Sequence, residues 1–174
     1  MNRRYTQIAL MAAAASLLFT FENLIATPFP WLRLGLANVV TLLALKWWGL
    51  NVSLLILIIR ILLGSLISGR IMSPVFVLSL TGGLASTLIM AALMNWAKRW
   101  FSMLGISVAG AVVHNLTQLV TAYLLYVRND ALFSLVAFFL MTGMAAGSLI
   151  GVAALLLDRK LGPLISGSAA PSLT

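Results

Sequence analysis

The sequence predicts an all-α, polytopic membrane protein: six transmembrane helices in one bundle, with both termini cytoplasmic. Three observations predict it. Six apolar stretches approach the roughly 20 residues that a helix needs to cross the hydrocarbon. Hydrophobic residues make up 62% of the chain and charged residues only 8%, with a mean hydropathy of +1.10. The basic residues are divided unequally between alternate joins.

The first span is placed at residues 5–26, after Arg3-Arg4. A basic start before an apolar run imitates a secretory signal peptide. However, the small residues at 12–15 come too early to leave a full apolar region before them, and Leu24 breaks the small-x-small pattern before Ala26. The stretch therefore reads as a helix that stays. Pro28 and Pro30 separate it from the second span, 31–48, and Gly49-Leu50-Asn51 from the third, 52–68. The third is the shortest and carries Arg60. Gly69-Arg70 leads to the fourth span, 73–97, and Lys98-Arg99 leads to the fifth, 104–127. Arg128-Asn129-Asp130 precedes the sixth, 132–157, and residues 158–174 form a cytoplasmic tail. No polar stretch is long enough for a soluble domain, so residues 1–174 form a single transmembrane domain. A barrel is excluded because strands alternate apolar and polar residues. Here Leu54-Leu55-Ile56-Leu57-Ile58-Ile59 is apolar throughout. In lipid such a run must be a helix, which satisfies its own backbone.

Six spans place Arg3, Arg4, Lys46, Lys98, Arg99, Arg159 and Lys160 on one side. Arg33, Arg70 and Arg128 fall on the other, with Arg60 inside the membrane. Seven against three puts the first side, and both termini, in the cytoplasm by the positive-inside rule. The net charge of +8 reports mainly this bias. The basic residues are scattered over joins and form no patch, so nucleic acid is not an expected partner.

Enzyme chemistry finds little support. The three acidic residues, Glu22, Asp130 and Asp158, lie in different segments, so no aspartate cluster can hold Mg²⁺ against a diphosphate. There is no Gly-x-x-x-x-Gly-Lys phosphate loop and no cysteine. One histidine without a placed acid makes a poor triad. No catalytic residue, metal or cofactor is expected.

The polar residues inside the apolar runs are the informative ones. A charge at the bilayer centre costs roughly 2.5–3.5 kcal/mol on insertion scales, and such residues mark interior partners or substrate paths. Glu22 and Asn23 fall near the outer end of the first span, and Arg33 near the outer start of the second. Asn38 lies about 7–8 Å deeper. Arg60 is midway along the third. His114, Gln118 and Thr121 share one face of the fifth, with Asn115 beside them. These groups occupy the middle and outer half of the membrane and suggest a pocket opening outward. Two arginines against one carboxylate suit an anionic or zwitterionic ligand. The structural alternatives are snorkelling for Arg33, ion pairing for Glu22, and interhelical hydrogen bonding for His114, Asn115 and Gln118.

Small residues mark helix contacts. Gly143, Gly147 and Gly151 form a repeated GxxxG on the last helix and read as internal packing. Ala9, Ala12, Ala13 and Ser16 form a stripe on the first helix that fits either internal packing or a partner subunit.

Four runs, in order, are distinctive. They are Pro30-Trp31-Leu32-Arg33-Leu34-Gly35-Leu36-Ala37-Asn38, Arg60-Ile61-Leu62-Leu63-Gly64-Ser65-Leu66, Ser79-Leu80-Thr81-Gly82-Gly83, and Val108-Ala109-Gly110-Ala111-Val112-Val113-His114-Asn115-Leu116-Thr117-Gln118. Together they resemble the Gx transporter family, also labelled heptaprenyl diphosphate synthase component I, from about Ile8 to Leu157. That family is grouped with the substrate-binding S components of energy-coupling factor transporters. The resemblance implies a six-helix subunit of the bacterial cytoplasmic membrane that captures a vitamin-like small molecule outside the cell. It further implies work with a transmembrane coupling subunit and two ATPases, with Ala9 and Ala13 matching an AxxxA docking motif. On this reading Glu22, Asn23, Arg33, Asn38, Arg60, His114, Asn115 and Gln118 form the substrate site. The alternative expectation, from the second label, is a non-catalytic membrane accessory subunit in isoprenoid or quinone metabolism.

Overall fold

The structure, a computed structural model, describes residues 3–24, 35–97 and 100–166. Six α-helices account for most of them: α1 Arg3–Leu24, α2 Leu36–Trp48, α3 Leu50–Ile67, α4 Pro74–Trp96, α5 Met103–Leu125 and α6 Val136–Ser166. A 3-10 helix, Asp130–Leu135, leads into α6, and no strand occurs among the described residues. All but α2 are long and apolar enough to cross a membrane. The outer surface confirms the solvent they are built for. Leu17, Leu66, Leu88, Leu124, Met141 and Leu149 are all exposed. An apolar surface contributed by all these helices is far more than a water-soluble monomer presents.

α2 is the helix on which the others close. It packs against α1, α3, α4 and α6, and its residues from Val39 to Leu45 are all buried. A helix covered on every side has no use for a polar face, which explains the unbroken run Val39-Val40-Thr41-Leu42-Leu43-Ala44-Leu45. It has 13 residues, about 20 Å at helical rise, so it rather than α3 is the shortest of the six. The expected start of this span, 31–34, lies outside the described residues.

Its two ends are fixed by glycines. Gly35 stands before it at φ +74° and Gly49 after it at φ +86°, a left-handed region costly for other residues. Gly49 alone joins α2 to α3, and its carbonyl already accepts the amide of Ser53. The buried Ser53 hydroxyl then donates to the Thr41 carbonyl at 2.9 Å, tying the two helices together just beyond the turn.

Close approach governs the other contacts. A Cβ on Gly147 would stand 2.6 Å from the Val108 Cα, one on Gly151 2.9 Å from the Leu104 Cα, and one on Gly143 3.1 Å from the Val112 Cα. The GxxxG ridge of α6 is thus pressed onto the backbone of α5, as internal packing requires. The α4 N-terminus is capped by Ser73, whose Oγ accepts the Phe76 amide, with Pro74 at the first helical position. α6 runs to Ser166, past the expected end at 157. The predicted tail therefore begins as helix. Its Asp158 is held to α2 by the Lys46 ammonium at 2.5 Å and the Trp47 indole N–H at 2.9 Å, which keeps the segment docked.

Candidate functional site

The carboxylate of Glu22 sits at the last turn of α1 and is buried. Its Oε1 accepts the amide N–H of Leu36 at 2.5 Å. That amide belongs to the first turn of α2, where helix N–H groups have no intrahelical partner and favour negative charge. Glu22 therefore ties the last turn of α1 to the start of α2.

Two residues further along α2, Asn38 meets Arg60 from α3. The guanidinium donates through Nη2 to Asn38 Oδ1 at 2.5 Å. Arg60 is 3% exposed, so its charge is removed from lipid and from solvent. Burying a guanidinium in a membrane helix is costly unless hydrogen bonds satisfy it. Asn38, flanked on its helix by the apolar Ala37, Val39 and Val40, supplies one of them.

α5 forms the opposite wall with His114, Asn115 and Gln118, and α4 adds Ser79. Gln118 is buried and His114 partly so. Gly82 of α4 makes room for both: a Cβ there would stand 3.0 Å from Gln118 Cγ and from the His114 carbonyl, and 3.1 Å from His114 Cε1. Asn115 has a structural task as well. Its Nδ2 donates to the Phe139 carbonyl of α6 at 3.1 Å and lies 3.4 Å from the Thr142 hydroxyl. The interhelical role weighed for Asn115 is thus present.

Glu22, Asn38, Arg60, His114, Asn115 and Gln118 converge on one cavity. It has a volume of about 30 Å³, room for a water or two rather than an organic ligand. Ligand pockets for small molecules run to about 300–1,000 Å³, so any such ligand must part the helices that form these walls. Sequence reasoning missed Phe19, Gly35, Ser79 and Gly82 as neighbours of the site. Gly82 lies three residues after Ser79, on the same helical face. Arg33 lies outside the described residues, as does the side chain of Asn23.

Ala9 and Ala13, expected from the sequence to dock a partner, are placed apart from this cavity. Ala9 and Ala13 are exposed, whereas Ala12 and Ser16 are buried on the opposite side of the stripe. Chemically, the cavity joins a cation, a carboxylate, an imidazole and carboxamides. It can hold complementary charges and orient hydrogen bonds. Among the described residues no group of three or more His, Cys, Asp or Glu is placed to hold a metal.

Comparison with known proteins agrees with the second label of the resemblance. Residues 11–157, more than four fifths of the chain, match the family described as heptaprenyl diphosphate synthase component I. No curated protein and no solved structure matches the chain. The matched region takes in all of α2 to α5, most of α1 and α6, and every residue named at the cavity. The family's description names one component of a synthase, which implies a protein partner for this multi-pass membrane protein. The chain belongs to the heptaprenyl diphosphate synthase component I family.

Proposed function

We propose that the chain is a non-catalytic, membrane-embedded substrate-binding and transport subunit of the bacterial cytoplasmic membrane, working in the manner of an energy-coupling factor S component. It captures a small anionic or zwitterionic ligand from the outer side through Glu22, Asn23, Arg33, Asn38, Arg60, His114, Asn115 and Gln118. A transmembrane coupling subunit with ATPases drives the cycle and docks on Ala9 and Ala13. The observation that carries this reading is Arg60: a guanidinium 3% exposed, midway along a span, held by Asn38 at a cavity that also receives Glu22 and His114. A scaffold needs helix contacts, which the glycines already supply. It does not need a buried cation at the point where all six helices meet.

The test is thermal stabilisation of the full chain in nanodiscs by vitamins, nucleobases and prenyl phosphates, with co-purification from cells. A ligand at 100 times its Kd should raise stability by ~2.7 kcal/mol. The expected result is one stabilising small molecule and a co-purifying ATPase complex. If no compound stabilises the chain and a soluble prenyl diphosphate synthase co-purifies instead, the transport reading is overturned. The second reading, a membrane accessory subunit of polyprenyl diphosphate synthesis, would then stand. The family's description is what favours it.

A further inference from the structure

A second recess lies at the other end of the bundle and takes no part in the site above. It is open, has a volume of about 800 Å³, and is lined by Arg4 and Gln7 of α1, Lys46, Trp47 and Trp48 of α2, and Arg159 of α6. The volume falls within the range of pockets that hold organic ligands. We propose that this recess binds the phosphodiester headgroup of an anionic glycerophospholipid from the inner leaflet.

Charge comes first. Three cations line the recess, while its one carboxylate, Asp158, is already engaged by Lys46 at 2.5 Å and by the Trp47 indole at 2.9 Å. Arg4 and Arg159 are exposed and stand on different helices. The surplus is positive and suits a phosphate. Basic side chains at the membrane surface attract anionic lipid by about 1 kcal/mol each.

Depth comes second. The recess sits at the first turns of α1 and the last turns of α2 and α6. The 31 residues of α6 extend about 46 Å, well beyond a hydrocarbon core of about 30 Å, so its last turns reach headgroup level. Trp47 and Trp48, packed edge to face at 5.7 Å, bring indoles to the same wall. Tryptophan favours this interfacial depth, where one part of the ring system is apolar and the N–H is wet.

Gln7 supplies the third observation. Its Oε1 is buried and has no hydrogen-bond partner among the described residues. An unsatisfied buried acceptor is costly. A turn of the Gln7 side chain toward the recess it lines would let a headgroup hydroxyl, as in phosphatidylglycerol, donate to it while the phosphate takes the arginines. Basic residues alone would report only membrane orientation. A recess of ligand size, flanked by indoles and holding an orphan acceptor, calls for a headgroup with both a phosphate and a donor.

The experiment is native mass spectrometry of the delipidated full chain, titrated with phosphatidylglycerol, phosphatidylcholine, phosphatidic acid or inorganic pyrophosphate. One phosphatidylglycerol should bind in clear preference to phosphatidylcholine. Arg4→Gln with Arg159→Gln, both at exposed positions, should weaken it about 30-fold. Gln7→Leu should narrow the preference for phosphatidylglycerol over phosphatidic acid, which lacks the headgroup hydroxyls. Equal binding of phosphatidylglycerol and phosphatidylcholine, or unchanged affinity in the double variant, overturns the site. Displacement of the lipid by pyrophosphate at matching concentration overturns the lipid assignment in favour of a free phosphate.

Discussion

Arg60 and Asn38 show how a single residue pair can report both folding and function. The Nη2–Oδ1 contact at 2.5 Å crosses from α3 to α2 beside a cavity that holds a water or two at most. Asn38→Leu removes the acceptor but keeps the volume, and should destabilise the isolated protein by about 1–3 kcal/mol. Replacing both, Arg60→Met with Asn38→Leu, should recover much of that loss, because the buried charge goes with its partner. Thermal unfolding in detergent reads both outcomes, and a double variant no better than the single would show that the pair is not coupled. Ligand binding is a separate measurement. Arg60→Ala should weaken it about 10- to 150-fold, the range of a desolvated charge-assisted hydrogen bond. Arg60→Lys should also weaken it, since an ammonium lacks the planar fork. If Arg60→Ala and His114→Ala both fold and bind as the parent does, the ligand sits elsewhere. Glu22, Asn38, Arg60, His114, Asn115 and Gln118 were legible in the sequence because polar groups in apolar runs demand a reason. Their distances were not. Ser79 and Gly82 were illegible as site residues because small residues recur at every membrane helix contact.

At the scale of the helix, the same class of small residue does two different things. Gly147 faces the backbone of α5, with a Cβ position 2.6 Å from Val108 Cα. Backbone cannot step aside as a side chain can. Gly147→Leu should therefore cost about 3 kcal/mol or more of stability. Ala9 and Ala13 face outward, so Ala9→Leu and Ala13→Leu should leave the isolated protein as stable as the parent, within about 0.5 kcal/mol. If they face a coupling subunit, the same substitutions should abolish its capture while ligand binding persists. Loss of fold in the alanine variants would make the stripe an internal contact instead. The sequence showed the Ala9, Ala12, Ala13 and Ser16 stripe but not its division, because residues three and four apart share a face only approximately. Only the packing of α1 on α2 and α3 turns Ala12 and Ser16 inward. Helix lengths were the other shortfall. Hydropathy sees the apolar run up to Trp48 and stops α6 near Leu157. It does not see that α2 is enclosed, nor that Asp158 is drawn onto Lys46 and Trp47.

The whole molecule turns on whether α2 counts as a crossing. Arg4, near the start of α1, and Arg159, near the end of α6, line one recess. Both ends of the described bundle therefore lie on the same side, which takes an even number of crossings. α1, α3, α4, α5 and α6 have the length for five, so α2 must supply the sixth despite its 13 residues. Its contacts agree. Leu36 receives Glu22 at the far end of α1, and Lys46 shares the recess with Arg4 and Gln7 at the near end. From Gln7 to Glu22 is about 22 Å along α1, close to the full length of α2. The polar cavity lies at the start of α2, lined there by Gly35, Ala37 and Asn38. With seven basic residues against three setting the orientation, the recess should face the cytoplasm and the cavity end the outside. The chain has no cysteine, so single replacements label cleanly. Asn129→Cys should react with an impermeant maleimide in intact cells, and Arg159→Cys only after the cells are opened. The reverse pattern would turn the bundle over and place the cavity end on the cytoplasmic side. Labelling of both from outside would mean that α6, the helix between them, does not complete a crossing, and the even count would fail.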